Sequence, residues 1–216
     1  MAKKVDTITY HITVVSSIIF ILSFLRQTSA ATLPEITQKY DRHFAAVINH
    51  RKTTLTKLQV YIQAYFAGAA ENQTVFQVTE AEISPASPAS FGQVLVIDNP
   101  LTAAPDPLSE SLGSYQGMNG FSDLRQTAAN MNMNMIFPGE KYGGSTITIF
   151  GRQPIDEEVR VLTVVAGTGV FRFAEGIALA STVSVDNVTK VGIYTYVLYV
   201  VTPAPAGVME STTASF

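Results

Sequence analysis

The chain has 216 residues, of which 47% are hydrophobic and 14% are charged. Charged residues make up about 25% of an average globular protein, so this composition argues against a disordered chain and against a solvated helical bundle. The net charge of -3 at pH 7 argues against binding to nucleic acid, which needs a basic face. The sequence has no Cys and only three His, so we expect no disulfide framework, no metal site and no cofactor.

The first thirty residues are ordered like a secretory signal peptide. Lys3 and Lys4 precede an apolar stretch of twelve residues, Val14–Leu25, which is shorter than the roughly 20 residues that span a bilayer. Small residues follow and predict cleavage after Ala30, with cleavage after Ala31 as the alternative. An amphipathic or anchoring helix is the competing interpretation. The pattern predicts a secreted, extracellular protein that has no membrane contact after cleavage.

Two N-glycosylation sequons agree with this prediction. They are Asn72-Gln73-Thr74 and Asn187-Val188-Thr189, and both lie in polar stretches typical of turns. We therefore expect a glycan on Asn72, on Asn187 or on both. Many secreted domains depend on disulfides, but this chain has no Cys. Its stability must then come from a large core, a closed sheet or oligomerisation.

The predicted elements that follow are almost all strands. Residues 31–55 contain Pro34, several charges and a short helical-looking piece over residues 40–48, and we predict a poorly ordered lead-in. Residues 56–203 contain runs of β-branched and aromatic residues separated by turn residues, and residues 204–216 form a tail. The clearest period of two is a Met/Asn alternation over residues 131–137. The predicted strands cover residues 58–66, 75–79, 91–98, 131–137, 145–150, 159–165, 171–184 and 191–202.

This spacing of strands favours one class of fold. Eight or nine strands about ten residues apart, without a convincing amphipathic helix, predict a sandwich or a closed antiparallel barrel. Several strands are apolar on both faces, so we expect the outer face to be buried between subunits. An eight-stranded barrel has an interior just wide enough for one small ligand.

Several patterns that could carry chemistry have simpler explanations. Gly167-Thr168-Gly169 lacks the third Gly and the helix of a dinucleotide loop and is more typical of a tight turn. Residues 156–158 are acidic and are typical of a solvated turn, and His43 and His50 are expected at the surface. Arg160 begins an otherwise apolar strand, and periodicity leaves two possibilities open. Its side chain points to solvent, or it offers a planar donor fork to a bound oxygen.

Five sequence blocks occur in the order that is found in plant dirigent proteins. Phe91–Thr102 resembles the family segment "FG-x-V-x-V-x-DDPLT", and Val164–Gly176 resembles the segment "VVGGTGxFRxARG". The other blocks are residues 105–107 with 112–117, 139–146 and 151–152. The chain therefore resembles that family over residues 58–202.

The resemblance implies an all-β fold, an eight-stranded antiparallel β-barrel of the dirigent and allene-oxide-cyclase type, which associates as a homotrimer or homodimer. It also implies a secreted glycoprotein of the apoplast or cell wall. Members of the family hold phenoxy radicals, which a separate oxidase such as a laccase or peroxidase makes, so that they couple with one handedness into lignans and related phenylpropanoids. Such a role needs orientation rather than acid–base chemistry, so we expect a coupling guide that is not itself an enzyme.

The chain departs from the family at pocket positions. Ala64 and Gln153 replace two Asp residues of lignan-forming members, Asn119 replaces a Tyr, and Glu175 replaces an Arg, whereas Arg160 is kept. Gln153 can hydrogen-bond but cannot act as a base at neutral pH. The resemblance therefore implies the fold more strongly than it implies lignan-type coupling.

The predicted pocket combines polar groups with an apolar floor; its residues are Arg160, Gln153, Asn119, Tyr194, Ala64 and Ile62. Arg160 is expected at the open end of its strand, where replacing it would leave folding unaffected. Three functions stay open: a guide for radical coupling, a dirigent-type dehydratase or cyclase of phenolic substrates, and a structural role in the cell wall. A cavity of about 300 Å³ or more beside Arg160 would favour a ligand, and a plugged interior would favour the wall role.

Overall fold

The computed structural model describes residues 31–50, 53–69 and 72–203 of the chain. The predicted signal peptide and the predicted tail lie outside these residues. The described part contains one α-helix and nine strands: α1 (Leu33–His50), β1 (Thr53–Tyr65), β2 (Val75–Thr79), β3 (Val94–Thr102), β4 (Ser111–Phe121), β5 (Ala128–Phe137), β6 (Ser145–Pro154), β7 (Val159–Gly167), β8 (Glu175–Asp186) and β9 (Val191–Pro203). Short 3₁₀ turns lie at Ser84–Ala86 and Gly169–Phe171.

The strands form one antiparallel sheet that closes on itself. Their order is β1-β9-β8-β7-β6-β5-β4-β3-β2, and β1 pairs in addition with β3. One edge of β3 is shared, since its first half pairs with β2 and its last residues, Leu101 and Thr102, pair with Ile62 and Tyr61 of β1. The closed ring thus consists of eight strands, β1 and β3–β9, and β2 pairs with the part of the β3 edge that β1 leaves open. The predicted eight-stranded antiparallel barrel is confirmed, and the closure excludes the sandwich.

Side chains at alternating positions of the barrel strands fill the interior, as β5 shows. In β5, Met131, Met133 and Met135 are buried, whereas Asn130 and Asn132 between and beside them are exposed. This is the alternation that the sequence shows most clearly, and it follows from the pleat of a strand, which points successive side chains to opposite faces.

One end of the interior, which we call the closed end, is filled by aromatic rings. The ring centroids of Phe137, Tyr142 and Phe171 lie 5.2 to 5.9 Å apart. Ile147 and Ile149 belong to the same cluster of buried side chains and are 0% exposed. Tilted and edge-on rings at this distance pack favourably, so the closed end is the closely packed part of the core.

Residues 31–50 differ from the poorly ordered lead-in that the sequence predicted, because residues 33–50 form α1. The backbone N–H of Thr32 donates to Glu35 Oε2 at 2.9 Å, which is half of a capping box. Pro34 lies in the first turn, where its missing N–H has no helical partner to lose. β1 also begins at Thr53, three residues before the predicted start of the barrel domain at residue 56.

Helix α1 packs on the outside of the barrel. One helix face, formed by Leu33, Ile36 and Tyr40, contacts the outward side chains of β8 and β9, which are Leu179, Val197, Tyr199 and Val201. The hydroxyl of Tyr199 lies 2.8 Å from Asp41 Oδ1 and 2.9 Å from the Thr37 carbonyl oxygen. The i, i+3, i+7 spacing of the apolar residues is a helix signal that Pro34 and the charges obscured.

A second part of the outer face is apolar and open in the single chain. We call it the apolar row: its residues are 40–51% exposed and follow one another across the sheet, with Asn132 between the last two, as Phe76, Val96, Met118 and Phe150. The expectation of strands that are apolar on both faces therefore has two outcomes. α1 covers one outer apolar surface within the same chain, and the apolar row stays exposed in the single chain.

Strand β4 is absent from the predicted strands. Glycines at positions 113, 117 and 120 weaken its β signal. The backbone of β4 needs Gly113, which has φ +141°, since a Cβ there would lie 1.9 Å from the carbonyl oxygen of Ile136 on β5. Gly113 thus weakens the strand signal of β4 in the sequence and also allows β4 to lie close to β5.

Candidate functional site

The end of the interior opposite the closed end contains a cavity of about 230 Å³. We call it the cavity end. Its wall is mostly apolar and includes no Asp, Glu, His or Lys among the described residues: Ile62, Ala64, Phe66, Val75, Ser90, Leu95, Ile97, Asn99, Tyr115, Asn119, Phe121, Thr127, Met131, Gln153, Ile155, Arg160, Tyr194 and Tyr196. The wall therefore offers one fixed charge, the guanidinium of Arg160.

All six predicted pocket residues line this cavity: Arg160, Gln153, Asn119, Tyr194, Ala64 and Ile62. Its volume is smaller than the about 300 Å³ that marks the lower end for drug-sized ligands. The interior is nevertheless not plugged at this end, and Arg160 lies in its wall. The space suits one small aromatic molecule.

Arg160 is buried, with 2% of its surface exposed. The alternation of β7 points it inward together with Leu162 and Val164. Its Nη1 donates to the Thr182 hydroxyl at 2.9 Å and lies 3.3 Å from the backbone carbonyl oxygens of Ile155 and Glu157. The side chain thus joins the β6–β7 turn to β8.

This placement decides one expectation and corrects another. Of the two orientations that periodicity left open for Arg160, the structure has the inward one. Arg160 is the second residue of β7, as its expected place at the strand end requires, but it is buried and holds three acceptors, so we now expect its replacement to weaken folding. Ala180 separates Arg160 from Tyr196 in the strand register, and its small side chain leaves space for both.

Three polar atoms in the wall are buried without a hydrogen-bond partner. They are Nε and Nη2 of Arg160, and Oδ1 of Asn119. Burial lowers the pKa of Arg160 from its ordinary value, but a guanidinium stays charged at neutral pH. A buried polar group without a partner costs about 1–3 kcal/mol, so these atoms mark where a ligand would be stabilised.

Three further side chains form a hydrogen-bonded chain in the wall. The hydroxyls of Tyr115 and Tyr196 lie 3.1 Å apart, and Gln153 Nε2 donates to the Tyr196 hydroxyl at 3.4 Å. Burial raises the pKa of Tyr196 above its ordinary value of 10.0 and that of Tyr115 well above it. Both phenols are therefore protonated at neutral pH and can donate a hydrogen bond, but neither can serve as a base.

Tyr194 and the apolar floor lie at the start of β9 and the end of β1. Ile62 pairs with Tyr194 and Ala64 pairs with Gly192, and Ile62 and Ala64 are both 2% exposed. A Cβ at Gly192 would come within 2.9 Å of the Tyr194 ring. Gly192 therefore keeps space for that ring, and burial raises the pKa of Tyr194 above its ordinary value.

Sequence reasoning missed Tyr115 and Asn99 as wall residues. The period of two in the last strand places Tyr196 on the same face as Tyr194, and the structure has both in the cavity wall. Tyr115 lies in the unpredicted strand β4. Asn99 accepts a hydrogen bond from the Thr74 hydroxyl at 2.6 Å, a contact between distant parts of the chain that no local pattern reveals.

The loops at the cavity end carry both sequons. Asn72 and Asn187 are exposed, Asn72 in the β1–β2 loop and Asn187 in the β8–β9 turn. The backbone N–H of Phe66 donates to the Lys190 carbonyl oxygen at 2.9 Å, so these two loops are neighbours. The acidic residues 156–158 are exposed in the β6–β7 turn, as expected of a solvated turn.

Two features are absent from residues 31–50, 53–69 and 72–203. No group of three or more His, Asp or Glu side chains there could hold a metal ion. No helix in those residues has the length and apolar character needed to cross a membrane. The side chains of His43 and His50 lie outside the described part.

A closed antiparallel barrel with an apolar cavity, a buried guanidinium and buried phenols defines a class of small-molecule-binding barrels. The family model for dirigent-like proteins matches residues 55–201. Dirigent protein 21 of Arabidopsis thaliana is 34% identical over 167 residues, which cover 77% of this chain and 87% of that protein. Pterocarpan synthase 1 of Glycine max is 32% identical over 155 residues, which cover 71% and 82%.

A solved structure is similar in fold and sequence. The pterocarpan synthase dirigent protein GePTS1 is 33% identical with a TM-score of 0.61, and the match covers 69% of this chain and 89% of that structure. The chain belongs to the dirigent-like protein family. The predicted family is thereby confirmed, and with it a dirigent-like function in the coupling or conversion of phenolic compounds.

Proposed function

We propose that this chain binds phenoxy radicals or related phenolic intermediates in the barrel cavity and orients them so that they couple with one handedness. The observation that carries the proposal is the cavity wall: one buried guanidinium, buried phenols and amides, and no carboxylate or imidazole among the described lining residues. Such a wall can hold and orient a phenol. It offers no base at neutral pH.

The chemistry of coupling needs little more than orientation. A separate oxidase, such as a laccase or peroxidase, removes one electron and one proton from each phenol. Two radicals then pair their electrons in a new C–C or C–O bond, so this chain supplies neither electrons nor a catalytic proton. Holding one face of a radical against the wall excludes the other face, and a preference of about 1.4 kcal/mol already gives a tenfold excess.

A second candidate is the conversion of a phenolic substrate by loss of water and ring closure. Relatives named as pterocarpan synthases favour it, and the protonated pair Tyr115–Tyr196 could donate a proton to a leaving hydroxyl. The wall weakens it, because Ala64 and Gln153 stand where the carboxylates of lignan-forming members are. A product formed without any oxidase would favour this candidate over the first.

The setting of the proposed function is extracellular. We propose that residues 1–30 are removed, that Asn72 or Asn187 is glycosylated, and that the protein acts in the apoplast or cell wall as a homotrimer or homodimer. The two sequon asparagines are exposed, and the apolar row offers a contact surface for a second copy. Cleavage is tested by the mature N-terminus, which we expect at Ala31 or Thr32. Glycosylation is tested by a loss of mass on deglycosylation, and assembly by sedimentation faster than that of a monomer.

The coupling function is tested with a panel of phenols and a laccase, with and without the mature protein. We expect the total product to be set by the laccase and the ratio of enantiomers to be set by this chain. Chiral chromatography measures that ratio. Racemic product from every phenol, with the protein folded and in excess, would contradict the proposal.

A further inference from the structure

The cavity holds one buried charge, the guanidinium of Arg160, and no carboxylate among the described lining residues is paired with it. Arg160 is 2% exposed and none of the lining residues is acidic. Glu157 lies nearby, but its backbone carbonyl rather than its carboxylate accepts from Nη1, and its side chain is exposed. Burial lowers the pKa of Arg160 and the Glu157 charge raises it through space, but the exposed carboxylate of Glu157 is hydrated and is not among the hydrogen-bond acceptors of Arg160. The cavity as a whole is cationic.

The two guanidinium nitrogens without partners are neighbours on one edge of the group. Nη1 takes all three protein acceptors, and Nε and Nη2 take none. The N–H bonds of Nε and Nη2 run side by side, which is the geometry that binds both oxygens of a carboxylate. A hydroxyl or an ether oxygen fits this pair less well, since it is one uncharged atom. The unused edge of Arg160 therefore matches an ionised carboxylate.

The third partnerless atom lies on another wall. Asn119 is on β4 and Arg160 is on β7, which are three strands apart in a ring of eight, so they stand on facing sides of the interior. Oδ1 of Asn119 is an acceptor and needs a donor such as a phenolic hydroxyl. A ligand with an anionic group at one end and an O–H donor at the other would therefore pair with both Arg160 and Asn119.

We infer that the cavity takes a hydroxyaryl carboxylate: a single-ring phenol whose short side chain ends in a carboxylate. The carboxylate binds the Nε/Nη2 edge of Arg160, and the ring hydroxyl donates to Asn119 Oδ1. The cavity of about 230 Å³ suits one such molecule. The phenolic part rests on the proposed function, and the carboxylate part rests on the uncompensated charge.

The test compares three ligands that share a 4-hydroxy-3-methoxyphenyl ring and a propenyl chain: ferulate, methyl ferulate and coniferyl alcohol. Binding to the mature, unmodified chain is measured by calorimetry at pH 7 without any oxidase. We expect ferulate to bind at least tenfold more tightly than the ester and the alcohol. Equal affinities, or tighter binding of the alcohol, would overturn the carboxylate assignment.

Two cavity variants and one control assign the contacts. Arg160→Lys should weaken ferulate about tenfold and leave the ester and alcohol unchanged. Asn119→Leu should weaken all three ligands alike, because all carry the ring hydroxyl. Arg152→Lys is the control, since Arg152 is an exposed arginine at the end of β6 that is paired with Asp123, and it should change nothing. A uniform loss in Arg160→Lys would overturn the proposed carboxylate contact, and the wild-type ligand series stands even if a variant fails to fold.

The coupling assay separates this inference from the proposed function. Stereoselective coupling of neutral phenols together with equal ligand affinities would keep the proposed function and overturn the carboxylate assignment. Tight, selective binding of ferulate with racemic coupling would support the ligand class and contradict the coupling role.

Discussion

The two ends of the barrel interior are filled in opposite ways. At the closed end Phe137 of β5, with Tyr142 and Phe171 from the turns, fills the space with ring contacts. At the cavity end inward positions of β7 and β4 carry Arg160 and Asn119, each of which has buried polar atoms without partners. The barrel thus gives up stabilising contacts at one end and keeps a space there. The fold is secured by the closed end, and the chemistry is confined to the cavity end.

The largest expected effect is a loss of packing at the closed end. Phe171→Ala removes a ring that is 2% exposed and should lower the free energy of unfolding by about 3–5 kcal/mol. Ligand affinity should be unchanged, because Phe171 does not line the cavity. Denaturant unfolding measures the loss, and Phe173→Ala, at a site 76% exposed, is the control, with an expected change within about 0.5 kcal/mol. Equal losses in the two variants would mean that the closed end is not the closely packed part of the core.

The next effect tests whether Arg160 serves both stability and ligand binding. Arg160→Lys keeps the charge, but a lysine side chain is one bond too short to place its nitrogen where Nη1 of Arg160 contacts the Ile155 and Glu157 carbonyls and the Thr182 hydroxyl. We expect unfolding to become easier by about 1–3 kcal/mol and the enantiomeric excess in the coupling of ferulate, the carboxylate ligand, to fall. The matched Arg152→Lys variant should be neutral in both measurements. An unchanged product ratio would confine Arg160 to a structural role.

A smaller effect is expected from the buried phenols. Tyr196→Phe leaves the hydroxyl of Tyr115 without its partner and should cost about 1 kcal/mol in unfolding free energy. Tyr61→Phe is the control, because the Tyr61 hydroxyl only accepts from Gln59 in an exposed contact. If both variants are equally stable, the buried chain of hydroxyls does not contribute.

The same phenols give the protein a pH dependence at the alkaline side. The pKa values of Tyr115 and Tyr196 are raised by burial above the ordinary value of 10.0, so above pH 10 the folded state holds protons that the unfolded state has lost. The stabilising contribution is complete below about pH 10 and disappears as the pH rises further. Unfolding measured from pH 8 to 11 should show this decline, and Tyr115→Phe should flatten it.

The smallest effect concerns α1, which lies outside both ends. The hydrogen bond from Lys57 lowers the pKa of Asp41, and the two side chains are 42% and 46% exposed. Such a pair contributes about 0.2–1 kcal/mol, and its contribution is lost as the pH falls below the ordinary carboxyl pKa of 3.8. Asp41→Asn should therefore speed hydrogen exchange in α1 and leave the barrel amides unchanged. Faster exchange in β9 would show that α1 supports the barrel itself.

Much of the barrel could be predicted because its strands are locally regular. The Met/Asn alternation of β5 gave both the strand and its inward face. β4 is not predicted, because Gly113 and its neighbouring glycines carry no strand signal. Of α1 the sequence predicts only a short helical-looking piece over residues 40–48, because Pro34 and the charges interrupt the apolar spacing of its first turns. Closure of the ring through Ile62 and Leu101 joins positions far apart in the chain, which local patterns do not report.

The candidate site was found by resemblance more than by pattern. Periodicity alone left the direction of Arg160 open, and the order of the family blocks is what placed Gln153 and Asn119 beside it. The burial of the Arg160 side chain and the hydrogen bonds it makes could not be predicted from the sequence. The absence of partners at Nε and Nη2 of Arg160 depends on where the β6–β7 turn and β8 lie, and these positions are set by the closed barrel.

The pairing of β1 with β9 has a consequence for how the chain is made. Residues 53–65 pair one by one with residues 191–203, so the first strand of the barrel finds its main partner only after the last strand has been synthesised. Until then its apolar positions have no native neighbour on that side. Contacts between such distant segments are slow to form, and no disulfide can hold a partial barrel together, since the chain has no Cys. The barrel therefore closes only after β9 has been synthesised.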